Sequence, residues 1–240
     1  MTTNDQASIC NLYFELKNYL YNSFVDFFFP QLCLICGKLG SPVCKDCLAK
    51  LPKARLKCLR CGRYNPYGIY CRACRVKNLP ERVLACFAYD GAVKELIHNF
   101  KYKDVSSLAD SFALEISELL KDCKDYVVCP VPLSSSRKRW RGFNQSEIIA
   151  RKLSQKTGLC FGEFLGRGKS RFTQVQAGSK QKRKQNIKGV FYLKKEGEVP
   201  KNIILVDDVV TSGATVEEAT KVLKRAGAEK VVVTAVAMGK

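Results

Sequence analysis

The chain has 240 residues, 46% of them hydrophobic, and carries a formal charge of +19. That length suits one larger domain plus a small module, and the apolar content is that of a globular protein rather than a disordered or fibrous one. The charge points to polyanionic partners, nucleic acid or a nucleotide-like substrate, and two Zn²⁺ on eight thiolates would still leave it near about +15.

Residues 1–30 open with apolar residues at helical spacing: Leu12, Leu16, Leu20, Phe24 and Phe27–Phe28, with Tyr13 and Tyr19 beside them. Glu15, Lys17 and Asp26 interrupt this surface, which argues against a transmembrane segment. A basic leader and a small-residue cleavage site are both missing, which argues against a secretory signal. The pattern predicts an amphipathic helix, either packed on the protein's own core or lying on a surface, with the first favoured. Pro30 ends it.

Eight of the thirteen cysteines then fall into four pairs: Cys33/Cys36, Cys44/Cys47, Cys58/Cys61 and Cys71/Cys74. A Cys-x₂-Cys pair can wrap a metal in a tight turn, and Gly37 and Gly62 directly follow two of them. Two pairs complete a tetrahedral Cys₄ zinc site. A reducing compartment disfavours disulfides, and iron–sulfur clusters use other spacings. Two structural Zn²⁺ are therefore expected, paired sequentially, although an interleaved cross-brace fits the spacing too. Few large apolar residues stand in this block, so the metals are expected to supply most of its folding energy. Cys10, Cys86, Cys123, Cys129 and Cys160 lie outside the pattern and read as buried small hydrophobes.

From Arg82 the composition becomes that of an α/β domain. Val83–Tyr89 reads as a strand, Asp90–Gly91 as a turn, and 92–102 and 106–122 carry helical periodicity. His98, the single histidine, has no nucleophile near it in sequence, and a structural or phosphate-neighbouring role fits it. Tyr126–Pro132 is the next buried strand. It leads into a loop dense with charge, Arg137, Lys138, Arg139, Trp140, Arg141, Gly142, Phe143, Asn144 and Gln145, before a helix with Ile148, Ile149 and Leu153 on its apolar face. Arg-Gly at such an entrance offers a guanidinium fork and close backbone approach to an anion. Four cations around the single tryptophan also suit single-stranded nucleic acid, with Arg137, Lys138, Arg139 and Trp140 as the candidates. A solvated charge run would explain the cations alone.

A third loop, about 167–189, holds Arg171, Thr173, Gln176, Lys180, Lys182, Arg183, Lys184, Asn186 and Lys188. Its polar, basic composition suits a lid closing over an anionic leaving group, or a basic linker.

The chain is organised around the stretch 202–215. Ile203–Val206 reads as a fully buried parallel strand, followed by Asp207 and Asp208 at the end where open α/β sheets place their ligands. Val209 and Val210 lead to Thr211, Ser212, Gly213, Ala214 and Thr215, a small hydroxylated loop opening a helix. Backbone N–H groups and a helix N-terminus there can converge on a phosphate, while the acids accept from ribose hydroxyls or hold Mg²⁺ through its waters. Helix capping explains one hydroxyl, not two acids and a whole phosphate loop. A helix with Ala219, Val222, Leu223 and Ala226, then the strand Val231–Val236, complete the chain.

This run resembles the phosphoribosyl-pyrophosphate (PRPP) signature of type I phosphoribosyltransferases. With the four cysteine pairs, Tyr89–Asp90–Gly91, Leu96–Ile97–His98, Lys101–Tyr102, Pro130–Leu133, Arg141–Gln145, Arg171-x-Thr173-x₂-Gln176 and Arg183-x₂-Asn186-x₂-Gly189-x-Phe191, nearly the whole chain is similar to the ComF family. Ser212 stands where threonine is commoner; the hydroxyl is kept.

The resemblance implies an α/β, type I phosphoribosyltransferase fold, a parallel sheet flanked by helices. It would span residues 81–240, behind an N-terminal amphipathic helix at 1–30 and a double zinc-ribbon Cys₄ module at 31–80. It implies Mg²⁺ with PRPP or a related ribose phosphate: Asp207, Asp208, Arg141 and Arg183 acting on the ribose and pyrophosphate, 209–215 holding the 5′-phosphate, and Arg137 with Arg141–Gln145 forming the pyrophosphate loop. It also implies a cytoplasmic role in natural transformation, handling single-stranded DNA beside a helicase-like translocase and a recombinase-loading protein. Two function classes follow: a phosphoribosyltransferase of open acceptor, or a nucleic-acid-binding adaptor that has kept the pocket.

Overall fold

A computed structural model of the chain describes residues 31–102, 107–168, 189–195 and 197–239. The expected helix at 1–30 and the lid residues Arg171 to Lys188, Arg183 among them, lie outside the described residues, as does Cys10. The chain forms two compact units, 1–50 and 51–240.

In the first unit, the turn Cys33–Gly37 is closed by Gly37 N–H donating to the Cys33 carbonyl (2.8 Å) and Cys33 N–H donating to Lys38 (2.8 Å), with Leu32 and Leu39 bridged antiparallel. The short helix α1 (Lys45–Lys50) carries Cys47 and buries Leu48. Gly37 has φ +74°, which a side chain would strain.

The second unit repeats this turn with the same internal spacing. Gly62 N–H donates to Cys58 (2.8 Å), Cys58 N–H to Arg63 (2.9 Å), and Lys57 pairs with Tyr64. A single 3₁₀ turn, Arg72–Cys74, delivers the last ligands. This second knuckle also packs against the sheet domain. Cys58, Tyr70 and Leu79 are buried in one apolar cluster with Val83, Ile203, Val216 and Val231 of the sheet and its helices.

The sheet has four strands, β1 (Arg82–Ala88), β2 (Val127–Pro130), β5 (Asn202–Val210) and β6 (Lys230–Met238), in the order β1-β6-β5-β2 and all parallel. Parallel strands buried on both faces need continuous apolar runs. Ile203, Ile204, Leu205 and Val206 supply one at 0% exposure, and Val231–Met238 supply another. Helices α2 (Gly91–Tyr102), α3 (Leu108–Glu118) and α5 (Gln145–Thr157) connect β1 to β2 and β2 onward. Helix α6 (Ala214–Arg225) packs Val216, Ala219 and Leu223 onto Ile203, Leu205 and Val233.

Three local features differ from the sequence expectations. The charged run after β2 is itself helical: α4 (Ser135–Arg141) ends where Gly142, at φ +80°, donates its N–H to Lys138 (2.9 Å). A two-stranded antiparallel ribbon, β3 (Leu165–Arg167) with β4 (Phe191–Leu193), ties together the two ends of the basic loop. Cys86, Cys123 and Cys129 are buried as expected, but Cys160 is exposed, because its carbonyl accepts from Val128 N–H at the sheet edge and leaves its side chain outward. Among the described residues no helix is long and apolar enough to cross a membrane.

Candidate functional site

The two cysteine clusters are groups in the order of the sequence. The sulfurs of Cys33, Cys36, Cys44 and Cys47 lie within 4.8 Å of one another, as do those of Cys58, Cys61, Cys71 and Cys74. Zn–S bonds of about 2.3 Å in a tetrahedron place sulfurs about 3.8 Å apart. The Cys36–Cys44 and Cys61–Cys71 separations are both 3.7 Å, so the two sets fit zinc. Burial raises Cys33 and Cys58, but backbone N–H donors outweigh it and bring both down to about 6, while Cys47 and Cys74 are pushed up to about 12 by the thiols around them. Four thiolates cannot ionise together without a cation.

The second site gathers at the C-terminal ends of β2 and β5. Strand β5 runs on through both acids to Val210, pairing Asp207 with Ala235 and Val210 with Met238. Asp207 and Asp208 are therefore held by the sheet, and Val209 and Val210 are strand residues rather than loop. A small cavity is lined by Asp207 and residues 209–216. Gly213, at φ +75°, caps α6, whose first-turn amides have no earlier carbonyl to satisfy them.

The acids are fixed by several donors. Ser146 Oγ donates to Asp207 Oδ1 at 3.1 Å, and the N–H of Asp208 donates to the same oxygen at 2.9 Å. Burial and then the neighbouring Asp208 charge push the Asp207 carboxyl up to about 7, against the opposing pull of these donors and of Lys101. Lys101 Nζ lies 2.6 Å from Asp208 Oδ2.

The loop between α4 and α5 faces the same end of the sheet. Asn144 Nδ2 donates to the Val131 carbonyl (3.0 Å), tying the start of α5 to the end of β2. Arg141 donates from Nη1 to Gln145 Oε1 (3.2 Å) and from Nη2 to the Tyr102 hydroxyl (3.3 Å), with its guanidinium 5.3 Å from the Tyr102 ring centre. Arg141 Nε, Asn144 Oδ1 and Gln145 Nε2 are buried without a hydrogen-bond partner. The two donors among them, Arg141 Nε and Gln145 Nε2, are suited to an anionic ligand, whereas Asn144 Oδ1 is an acceptor. Phe143 packs instead against Phe100, with ring centres 6.4 Å apart. Arg137, Lys138, Arg139 and Trp140 are exposed along α4, Trp140 at 73%, and Trp140 meets Tyr102 edge-on at 5.3 Å. His98 meets Tyr102 at a tilt, with ring centres 4.6 Å apart.

Three residues join this site that the sequence did not single out for it. Lys101 and Tyr102 belong to the α2 motif Lys-Tyr, and Ser146 follows Asn144–Gln145 directly. Arg167 is a fourth neighbour: burial, then Arg137, lower its pKa while Asp207 raises it.

The family model for a phosphoribosyl transferase domain matches residues 105–240, and that for a double zinc ribbon domain matches residues 24–75. Competence protein ComFC of Streptococcus pneumoniae is 28% identical over 204 residues, covering 83% of this chain and 84% of the relative. DNA utilization protein YhgH of Escherichia coli K12 is 31% identical over 222 residues, covering 84% and 94%. Purine phosphoribosyltransferase of Pyrococcus horikoshii, a solved structure, is 20% identical over 54% of this chain and 73% of its own, with a TM-score of 0.37. By these matches, which agree with its paired cysteine clusters and its parallel sheet ending in the acid pair, this chain belongs to the phosphoribosyl transferase domain family, in the ComF branch that carries a double zinc ribbon ahead of that domain.

Proposed function

We propose that the protein binds Mg²⁺–PRPP, or a related ribose phosphate, between β5 and α6, and that it acts in the cytoplasm on incoming single-stranded DNA during natural transformation or DNA use. The observation that carries the ribose-phosphate reading is the Asp207–Asp208 pair beside the loop 211–215, with the unpartnered Arg141 and Gln145 donors across from it. In this reading the loop amides hold the 5′-phosphate and the acids accept from the ribose hydroxyls. Asp207 and Asp208 would hold Mg²⁺ through its waters, and the ion would offset charge on the pyrophosphate. Arg141, Gly142, Asn144 and Gln145, with Arg137 nearby and Arg183 from the basic loop, take the pyrophosphate. Phosphoribosyl transfer would form a bond from an acceptor nitrogen to ribose C1 and break the C1–O bond, pyrophosphate leaving with the electron pair.

The DNA role is supported by the competence and DNA-utilization relatives and by α4, which presents three cations and an exposed tryptophan. Helicase-like and recombinase-loading competence proteins are the partners this role implies. A second reading, an adaptor whose pocket binds but does not turn over, is favoured by the Lys101–Asp208 ion pair, which already occupies one carboxylate oxygen.

Calorimetric titration of zinc-loaded protein with Mg²⁺–PRPP tests the pocket, with Asp207→Asn/Asp208→Asn as control. Saturable binding lost in the double variant supports the clamp. Absence of binding by the wild type leaves DNA as the ligand and removes the transferase reading.

A further inference from the structure

The second cysteine knuckle reaches the phosphate loop through side chains that have no part in holding a metal. Leu59, between Cys58 and Cys61, lies against the loop: a Cβ on Gly213 would come within 2.6 Å of Leu59 Cδ1. Next to it, Arg60 Nη2 stands 3.5 Å from Glu217 Oε2. Tyr70, immediately before Cys71, donates its hydroxyl to Glu217 Oε1 at 3.2 Å. Tyr70 and Glu217 are each only 5% exposed. A further strut runs behind the loop, where Lys57 Nζ donates to the Gly239 carbonyl (2.8 Å) and Gly239 N–H donates to Val210 (2.8 Å).

Glu217 is the anomaly that this arrangement explains. It lies in the first turn of α6, with its N–H donating to the Gly213 carbonyl (2.8 Å), on a face otherwise filled by Val216, Thr220 and Leu223. A buried carboxylate is costly unless it is paired and hydrogen-bonded. A helix N-terminus does favour negative charge. A phosphate on the loop would draw on that same positive end, however, and an unneutralised carboxylate one turn below it would repel the ligand. Arg60 supplies the opposite charge, and Tyr70 fixes which way the carboxylate turns. Together they set both the electrostatics and the rotation of the turn that carries Ala214 and Thr215.

We propose that Arg60 and Tyr70 are positioning residues for the phosphate loop: from the second knuckle they hold and neutralise Glu217, so that the loop keeps its ligand-binding form while that knuckle is folded around its metal. The inference rests on the ribose-phosphate reading of the loop. It also makes the knuckle a working arm of the site rather than an independent module.

The test compares wild type with Arg60→Ala, Tyr70→Phe, Arg60→Ala/Tyr70→Phe and Arg60→Ala/Glu217→Gln, each checked for unchanged zinc by elemental analysis. Two readouts are taken: calorimetric affinity for Mg²⁺–PRPP and for ribose 5-phosphate, and amide hydrogen exchange of the 209–217 segment without ligand. Arg60→Ala is expected to weaken both ligands about tenfold, since it leaves a carboxylate opposing the phosphate at a helix N-terminus. Arg60→Ala/Glu217→Gln should recover most of that loss, a result that simple loosening of the fold would not give. The Arg60→Ala/Tyr70→Phe protein should exchange faster across 209–217 than wild type. Wild-type affinity in Arg60→Ala, or no recovery on adding Glu217→Gln, would overturn the inference. If wild type binds neither ligand, the ribose-phosphate reading fails and hydrogen exchange alone decides the bracing: unchanged exchange in the Arg60→Ala/Tyr70→Phe protein rejects it. Should Arg60→Ala lose zinc, Tyr70→Phe, which removes a single oxygen, carries the exchange test with the same two outcomes.

Discussion

Lys101, in the last turn of α2, holds Asp208 of β5 through a 2.6 Å ion pair in which both side chains are less than one-fifth exposed. Two adjacent carboxylates at the end of a buried strand repel each other, and this lysine offsets part of that repulsion. Lys101→Met should therefore destabilise the unliganded protein by about 1–2 kcal/mol, less than for a fully buried pair, and lower Tm by roughly 2–8 °C. Added Mg²⁺–PRPP should narrow that deficit, because its cation then supplies the missing charge. Thermal melts of both proteins with and without the ligand check this. An equal deficit in both conditions would show that the ion pair and the ligand do not share Asp208.

Asp207 makes the site pH-dependent. Its carboxyl is pushed up to about 7 by burial and by Asp208, so folding favours its protonated form. The stability it contributes is complete below about pH 4, near the unfolded carboxyl pKa, and is lost as pH rises through about 7. Melts of wild type against Asp207→Asn should show this slope in the wild type and not in the variant. Mg²⁺–PRPP needs the ionised carboxylate, so affinity should rise between about pH 5.5 and 7.5 with release of up to about one proton. Calorimetry in buffers of different ionisation enthalpy measures that proton; none released would place Asp207 outside the ligand's reach.

The zinc sites are expected to differ in what their loss does. Each cluster should hold one ion, so elemental analysis should fall from about two to about one zinc per chain in Cys36→Ser or in Cys61→Ser. Cys58 and Tyr70 are part of the apolar cluster under the sheet, so losing the second ion should also lower the Tm of the 51–240 unit. Losing the first should leave that transition in place. Equal effects on that transition would contradict a contribution particular to the second cluster.

Most of this fold is legible in the sequence because its strongest signals are local. Ile203–Val206 is apolar at every position since both faces are covered, and the first Cys-x₂-Cys turn of each cluster announces itself by spacing and by Gly37 or Gly62. Relationships across the chain leave no such mark. Lys101 reads as an ordinary basic residue near the end of an amphipathic helix until α2 is seen to end beside β5. Glu217 reads as a first-turn acid, and its burial by Arg60 and Tyr70, some 150 residues earlier in the chain, has no local signature. The charged run 137–141 reads as loop because its cations obscure any periodicity; Gly142, with its positive φ, is the available clue to where a helix stops.

The proposed DNA surface can be tested apart from the pocket. Trp140 is 73% exposed and meets Tyr102 edge-on, while Arg137, Lys138 and Arg139 flank it on a helix that does not bury them. A base stacked on an aromatic ring contributes about 1–3 kcal/mol whatever its identity, so Trp140→Ala should weaken oligonucleotide binding by that amount with little change in salt dependence. Lys138→Ala/Arg139→Ala should instead reduce the slope of log K against log salt by about 0.7 for each phosphate that is no longer neutralised. Trp140 is the single tryptophan, so its fluorescence reports stacking directly and should be quenched as a poly-dT oligonucleotide binds. Mg²⁺–PRPP affinity should be unchanged in Trp140→Ala, whose ring is turned to solvent. An unquenched signal with unaltered DNA affinity in both variants would move the nucleic-acid surface away from α4 altogether.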